Sequence, residues 1–189
     1  MEYIRTLSIR SSAVKGQTLA TQALWIIGFA FLTALGAQVQ IPHEPVPYTL
    51  QTFFILLSGA ILGKRNGALS QLLYLFVGAA GIPVFTAWGS GLARILGPTG
   101  GYLMSFPVAA FVTGYLVQQH KNFFWILISM ILGLVIVFGL GTLYLNLTYL
   151  HNWKQSIAGG FLIFSWWDGL KLVAAASIYQ QIAKYRTSL

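Results

Sequence analysis

The chain of 189 residues has no cysteine, three acidic residues and 7% charged residues in all. Without cysteine it has no disulfide framework, no thiolate nucleophile and no Cys-based metal site. Soluble domains carry about 25% charged residues, because their surfaces face water. A soluble globular domain, a disordered chain and a coiled coil are therefore excluded by composition.

Apolar residues are abundant instead. They make up 57% of the chain, and the mean hydropathy is +0.73. A spanning helix needs about 20 mostly apolar residues, and six segments approach that length. We predict an all-α membrane protein, a six-transmembrane-helix bundle that forms a single domain over 1–189, with 1–18 as a cytoplasmic N-terminal segment. The six spans are 19–37, 50–63, 68–85, 101–118, 122–147 and 157–183.

Two segments between the spans cannot be regular helix. Residues 41–47 contain three prolines, and 86–100 contain Gly89, Gly91, Gly97 and Pro98. Proline lacks a donor N–H and restricts its predecessor, and irregular backbone survives at membrane depth only where it is buried in protein or lines a cavity. We expect these segments to be the walls or lids of a cavity.

The eleven basic residues lie between the apolar segments and form no cluster. A nucleic-acid-binding face would gather them on one side, so no nucleic-acid partner is expected. Cytoplasmic termini place eight of them inside, Arg94 and Lys154 outside, and Lys171 within the sixth span. This distribution obeys the positive-inside rule. A cleavable signal peptide over 1–36 is the alternative interpretation of the N-terminal region.

Asp168 and Lys171 are charged residues inside the sixth apolar segment. Their spacing of three places them on one helical face, and each alone is costly in hydrocarbon. One interpretation is an ion pair that locks the helix into the bundle. The other is a paired acceptor and donor that face a polar ligand or an ion path.

Other polar side chains flank the two irregular segments. Arg94 is either an exposed loop residue or a guanidinium that captures a carboxylate from outside. Further candidates for a polar lining are Tyr48, Thr49, Gln51, Thr52, Gln71, Tyr74, Trp88, Tyr102 and Asn146. The alternative for the aromatic residues is an interfacial belt, which is the favoured interpretation for Trp153, Trp166 and Tyr149.

Ala30 and Ala34 form a small-xxx-small pair in the first span. Small residues allow two helices to approach closely, so this pair is a candidate surface for docking another subunit.

Enzymatic motifs are missing from the sequence. The run Gly97–Gly101 lacks the Gly-Lys-Ser/Thr ending of a phosphate loop, and the three histidines fall in different inter-span regions. We predict no catalytic residues, no bound metal and no cofactor in this chain. A small intramembrane enzyme with Asp168 and Lys171 as an acid/base pair remains the alternative.

Several motifs together resemble BioY proteins, the biotin-binding S components of energy-coupling factor transporters. They follow one another in consistent order between about residues 20 and 183. The motifs are residues 34–42 (ALGAQVQIP), 45–52 (PVPYTLQT), 67–74 (GALSQLLY), 81–85 (GIPVF), 97–103 (GPTGGYL) and the pair Asp168-x-x-Lys171.

The resemblance implies a multi-pass protein of a prokaryotic cell membrane that takes up biotin. The implied partners are membrane lipid, a transmembrane coupling (T) subunit, which the Ala30 and Ala34 pair would dock, and two cytoplasmic ATPases that use the ATP. A transporter subunit for another vitamin is an alternative with the same architecture.

Biotin carries a ureido group and a carboxylate on an otherwise apolar body, and an apolar cavity with a few placed polar groups suits such a molecule. We expect Asp168 to accept a ureido N–H and Lys171 to donate to a ligand oxygen. Arg94 is assigned to the carboxylate or to its loop, and the roles of Lys171 and Arg94 are interchangeable. Supporting contacts are expected from Gln51, Tyr74, Tyr48, Thr52 and Tyr102.

Overall fold

The computed structural model describes residues 18–120, 122–162 and 166–187. The predicted N-terminal segment, apart from Thr18, lies outside the described residues. Helix α1 spans Leu19–Gln38 and begins at Thr18, whose hydroxyl accepts the Thr21 N–H at 3.3 Å. This contact caps one of the free donors of the first turn.

A short β-hairpin follows α1. Strand β1 (Gln40–Ile41) pairs antiparallel with β2 (Tyr48–Thr49), with Gln40 opposite Thr49 and Ile41 opposite Tyr48. The proline-rich segment forms the loop of this hairpin and contains no helix, as its prolines predict. The hairpin brings Tyr48 and Thr49 to the start of the next helix.

Helix α2 (Gln51–Ala79) is broken at Gly63, which has φ 81° and ψ 172°. Gln51 Nε2 lies 2.7 Å from the Tyr74 hydroxyl oxygen, and Gln71 Nε2 lies 3.1 Å from Ser58 Oγ. In a straight helix Gln51 and Tyr74 would be about 35 Å apart at 1.5 Å per residue. The two halves of α2 therefore run antiparallel, and Gly63 supplies the positive φ that the reversal requires.

A turn and a short 3₁₀ helix (Thr86–Trp88) lead to α3 (Leu92–Ile95) and then to the long helices α4 (Gly100–Val117) and α5 (Phe123–Leu145). Two π-helical turns, Asn146–Leu150 and Ile157–Phe161, flank α6 (Trp153–Ser156), and α7 covers Trp166–Thr187. Most bounds agree with the predicted segments to within two residues, and two segments differ by more. The third segment ends at Ala79, and the sixth is divided between a π-helical turn and α7.

Glycines allow the halves of α2 to pack closely on each other and on α4. A Cβ on Gly59 would lie 2.2 Å from the carbonyl oxygen of Ala110, and one on Gly67 would lie 2.7 Å from Gly59 Cα. A Cβ on Gly114 would lie 2.5 Å from the Gly59 carbonyl oxygen. Backbones that approach this closely are typical of helix packing in membranes.

The outer faces of the long helices are apolar. Among the described residues three helical segments are long and apolar enough to cross a membrane, Leu19–Gln38, Gly100–Val117 and Phe123–Leu150. Large side chains such as Phe31, Phe111 and Leu132 are exposed on them. Because water would not solvate such faces, the chain is a membrane protein.

Ala30 and Ala34 lie against the interior of this chain. Ala30 is 7% exposed and belongs to the core, and Ala34 is half-buried and packs against that core. Small residues of this kind allow close packing within the chain, and the docking of another subunit by this pair stays a prediction.

Candidate substrate-binding site

A cavity opens where the β-hairpin, the segment after α2, and helices α4, α5 and α7 meet. Seven of the eight side chains that the sequence predicts to bind substrate line it, and Tyr74 is the exception. The predicted residues in the lining are Tyr48, Gln51, Thr52, Arg94, Tyr102, Asp168 and Lys171.

Asp168 and Lys171 form a buried ion pair in the wall of this cavity. Lys171 Nζ lies 2.5 Å from Asp168 Oδ1. The side chain of Lys171 is 7% exposed and that of Asp168 is 2% exposed. Lys171 also donates to the Thr49 carbonyl oxygen at 2.9 Å and to Thr52 Oγ1 at 2.7 Å. An ammonium has three donors, so all three have protein partners. A ligand oxygen reaches Lys171 only by replacing one of them.

Gln51 lies at the start of α2 and is held from three directions. Its Nε2 donates to the Tyr74 hydroxyl at 2.7 Å, and its Oε1 accepts from Thr49 Oγ1 at 3.1 Å and from Thr86 Oγ1 at 3.3 Å. Tyr74 in turn donates to the Val84 carbonyl oxygen at 3.3 Å. Tyr74 is thus behind the cavity wall and supports Gln51 from there.

We expect Tyr74→Phe to weaken substrate binding by about threefold to tenfold, because it removes the hydrogen bonds that fix Gln51 and Val84. Calorimetric titration of the variant beside the wild type measures this loss. Tyr144→Phe is the matched control, because its hydroxyl donates to the Leu96 carbonyl oxygen at 3.0 Å and does not line the cavity. An unchanged affinity in Tyr74→Phe would contradict the supporting role.

Arg94 lies at the mouth of the cavity in α3 and is exposed. Its guanidinium packs over Gly89, where a Cβ would lie 2.5 Å from Arg94 Nε. Among the described residues it has no carboxylate partner within ion-pair distance. The structure therefore provides a cation at the rim that is available to an anionic group.

Apolar side chains complete the cavity, and the sequence analysis did not identify them. They are Val46, Phe85, Leu103, Phe106, Val137 and Phe138. On the same wall, the Tyr102 hydroxyl lies 3.2 Å from Thr142 Oγ1, and its ring contacts Phe138 edge-to-face at 6.4 Å. Apolar residues in a spanning helix look alike in sequence whether they face lipid or a cavity, so no signal marks them.

Three of the polar candidates lie elsewhere. Gln71 is fully buried and bonds to Ser58 Oγ at 3.1 Å, and Asn146 Oδ1 accepts from Ser156 Oγ at 3.1 Å. Trp88 is 69% exposed. None of them lines the cavity, and Gln71 and Asn146 each have hydrogen-bond partners within the bundle.

Comparisons with known proteins identify the family to which this chain belongs. The model of the BioY family matches residues 9–188. The chain belongs to the BioY family. It is 44% identical over 156 residues to the biotin transporter BioY of Thermotoga maritima, covering 82% of this chain and 92% of the relative. The probable biotin transporter BioY of Lysinibacillus sphaericus is 42% identical over 142 residues, which cover 71% of this chain and 70% of the relative.

A solved structure also resembles this BioY-family chain. It is a crystal structure of the S-component for biotin from an ECF-type ABC transporter. The two chains superpose with a TM-score of 0.82 at 25% identity, over 89% of this chain and 95% of the other. The fold of this BioY-family chain is therefore that of an ECF S-component.

Proposed function

We propose that this chain binds biotin in the cavity beside Asp168 and takes it up as the substrate-binding subunit of an ECF-type transporter. The observation that carries the proposal is the buried Asp168–Lys171 pair in the cavity wall of a chain whose relatives are named biotin transporters. The subunit binds its substrate and does not transform it chemically.

The cavity suits the two ends of biotin. Asp168 is 2% exposed and accepts a ureido N–H deep in the site, whereas the exposed Arg94 meets the carboxylate at the mouth. This orientation keeps the charged carboxylate near water until it pairs with a guanidinium. Lys171 donates to a ligand oxygen in exchange for one of its present partners. Aromatic and aliphatic side chains cover the bicycle.

Titration of the detergent-purified chain with biotin, by isothermal calorimetry on protein stripped of endogenous ligand, tests the proposal. Tight binding of biotin and no binding of other vitamins is the expected result. A folded sample that ignores biotin but binds another vitamin would overturn the substrate. Chemical change of a lipid or peptide by the isolated chain would overturn the transporter role.

Arg94→Gln is expected to weaken binding of biotin by about tenfold, because one charged hydrogen-bonded contact is lost. Biotin amide, which has no carboxylate, should bind the variant and the wild type equally. Arg65→Gln is the matched control, since Arg65 is exposed next to the break at Gly63, and Gln51 lies at the other end of that half of α2. An equal loss for biotin and its amide would remove Arg94 from the carboxylate site.

The wider assembly follows from the same proposal. The chain has six membrane spans, with the two halves of α2 counted separately, and both termini are cytoplasmic in the plasma membrane of a prokaryote. A transmembrane coupling subunit and two cytoplasmic ATPases supply the energy from ATP. Two findings support this proposal: the match to an ECF S-component and the basic residues at the proposed cytoplasmic ends, such as Lys64 and Arg65.

A further inference from the structure

Gln38, the last residue of α1, holds the backbone of the segment Phe85–Trp88. Its Nε2 donates to the Phe85 carbonyl oxygen at 3.0 Å, and its Oε1 accepts from the Trp88 N–H at 3.1 Å. A side-chain amide is a neutral group that presents a donor and an acceptor at the same end. Its orientation is fixed, because the reverse would set donor against donor and oxygen against oxygen.

The segment that Gln38 holds has a strained backbone. Ala87 has φ 55° and Trp88 has φ 56°, and neither is glycine. L residues persist in this left-handed region only where the surroundings impose it. The Trp88 side chain is 69% exposed, so packing of the indole does not impose the conformation. The two hydrogen bonds from Gln38 tie the backbone of this segment to α1.

The same segment forms one wall of the cavity. Phe85 and Thr86 both line it. The Phe85 ring is 2% exposed and contacts Tyr74 edge-to-face at 5.4 Å, and Thr86 Oγ1 donates to Gln51 Oε1 at 3.3 Å. The backbone that Gln38 fixes therefore carries two of the lining side chains.

We propose that Gln38 is a positioning residue for the substrate site. It lines no part of the cavity itself, and it acts by holding the strained wall so that Phe85 and Thr86 face the ligand. The proposal rests on the biotin-binding function proposed above. Because Gln38 belongs to α1, displacement of this helix breaks both bonds and lowers biotin affinity, and bound biotin in turn stabilises the present position of α1.

Gln38→Glu tests this role with a side chain of the same shape. It keeps an acceptor for the Trp88 N–H but sets a carboxylate against the Phe85 carbonyl oxygen. We expect the Kd for biotin to rise about tenfold and the backbone amides of 85–91 to exchange hydrogen faster, with exchange in α4 and α5 unchanged. The matched control is Gln40→Glu, because Gln40 is half-buried and has no side-chain hydrogen bond within the described part of the chain. Its Kd should stay within about twofold of the wild type.

Ala87→Gly added to Gln38→Glu is expected to recover most of the lost affinity, because glycine adopts a positive φ without steric cost. A general loss of stability would not be rescued at this position. Gln38→Asn, which keeps the amide but is too short to reach both backbone groups, replaces Gln38→Glu if the latter does not fold.

Wild-type affinity in Gln38→Glu, or a loss that Ala87→Gly leaves unchanged, would overturn the positioning role. If the wild type itself does not bind biotin, the proposed function fails. In that case the hydrogen exchange of 85–91 and its reversal by Ala87→Gly still decide whether Gln38 holds the wall.

Discussion

Asp168→Asn is expected to raise the Kd for biotin by more than about 100-fold. The change keeps the shape of the side chain but removes its charge and replaces one of its two accepting oxygens with an NH₂ donor, which weakens its acceptance of the ureido N–H. It also leaves the ammonium of Lys171, which is 7% exposed, without its counter-ion. Removal of one partner from a buried ion pair lowers the free energy of unfolding by about 3–5 kcal/mol. Isothermal titration of the folded variant measures the effect.

Two further variants separate ligand binding from folding. The double variant Asp168→Asn, Lys171→Met removes both charges, so it should regain thermal stability without regaining biotin affinity. Glu44→Gln neutralises an exposed acid in the hairpin loop and should bind as the wild type does. Normal affinity in Asp168→Asn would show that the pair is a structural lock and not a ligand contact.

Gly59→Ala is expected to give the largest loss of stability. An added Cβ would lie 2.2 Å from the Ala110 carbonyl oxygen, 3.0 Å from its carbonyl carbon and 3.1 Å from its Cα. Because backbone cannot rotate away as a side chain can, α2 and α4 must separate. Overpacking of this kind costs about 1–3 kcal/mol or more. A thermal melt of the detergent-purified chain by fluorescence-detected gel filtration measures it.

Gly139→Ala is the matched control, since a Cβ there has no atom within 4 Å and alanine favours helix over glycine. Its melting temperature should equal or exceed that of the wild type. Equal melting of Gly59→Ala and Gly139→Ala would show that α2 and α4 are not in close backbone contact.

Much of the site follows from local sequence rules. The shortage of charge predicts a helical membrane protein, and the two irregular segments predict the cavity walls, because proline and glycine exclude regular helix there. The helical period places Asp168 and Lys171 on one face. Each of these conclusions depends on neighbours in the chain, which is why sequence alone reaches them.

The remaining features depend on contacts between distant parts of the chain. Lys171 bonds to Thr49 and Thr52, and Tyr74 lies behind Gln51 because α2 reverses at Gly63. Ala30 is buried in the core of its own chain.

In a membrane protein both the lipid-facing and the core-facing sides of a helix are apolar. The sequence by itself therefore determined the class of the protein, its irregular walls and its buried charges. Only the tertiary structure decided which faces turn inward, because hydropathy does not distinguish lipid from protein as a neighbour.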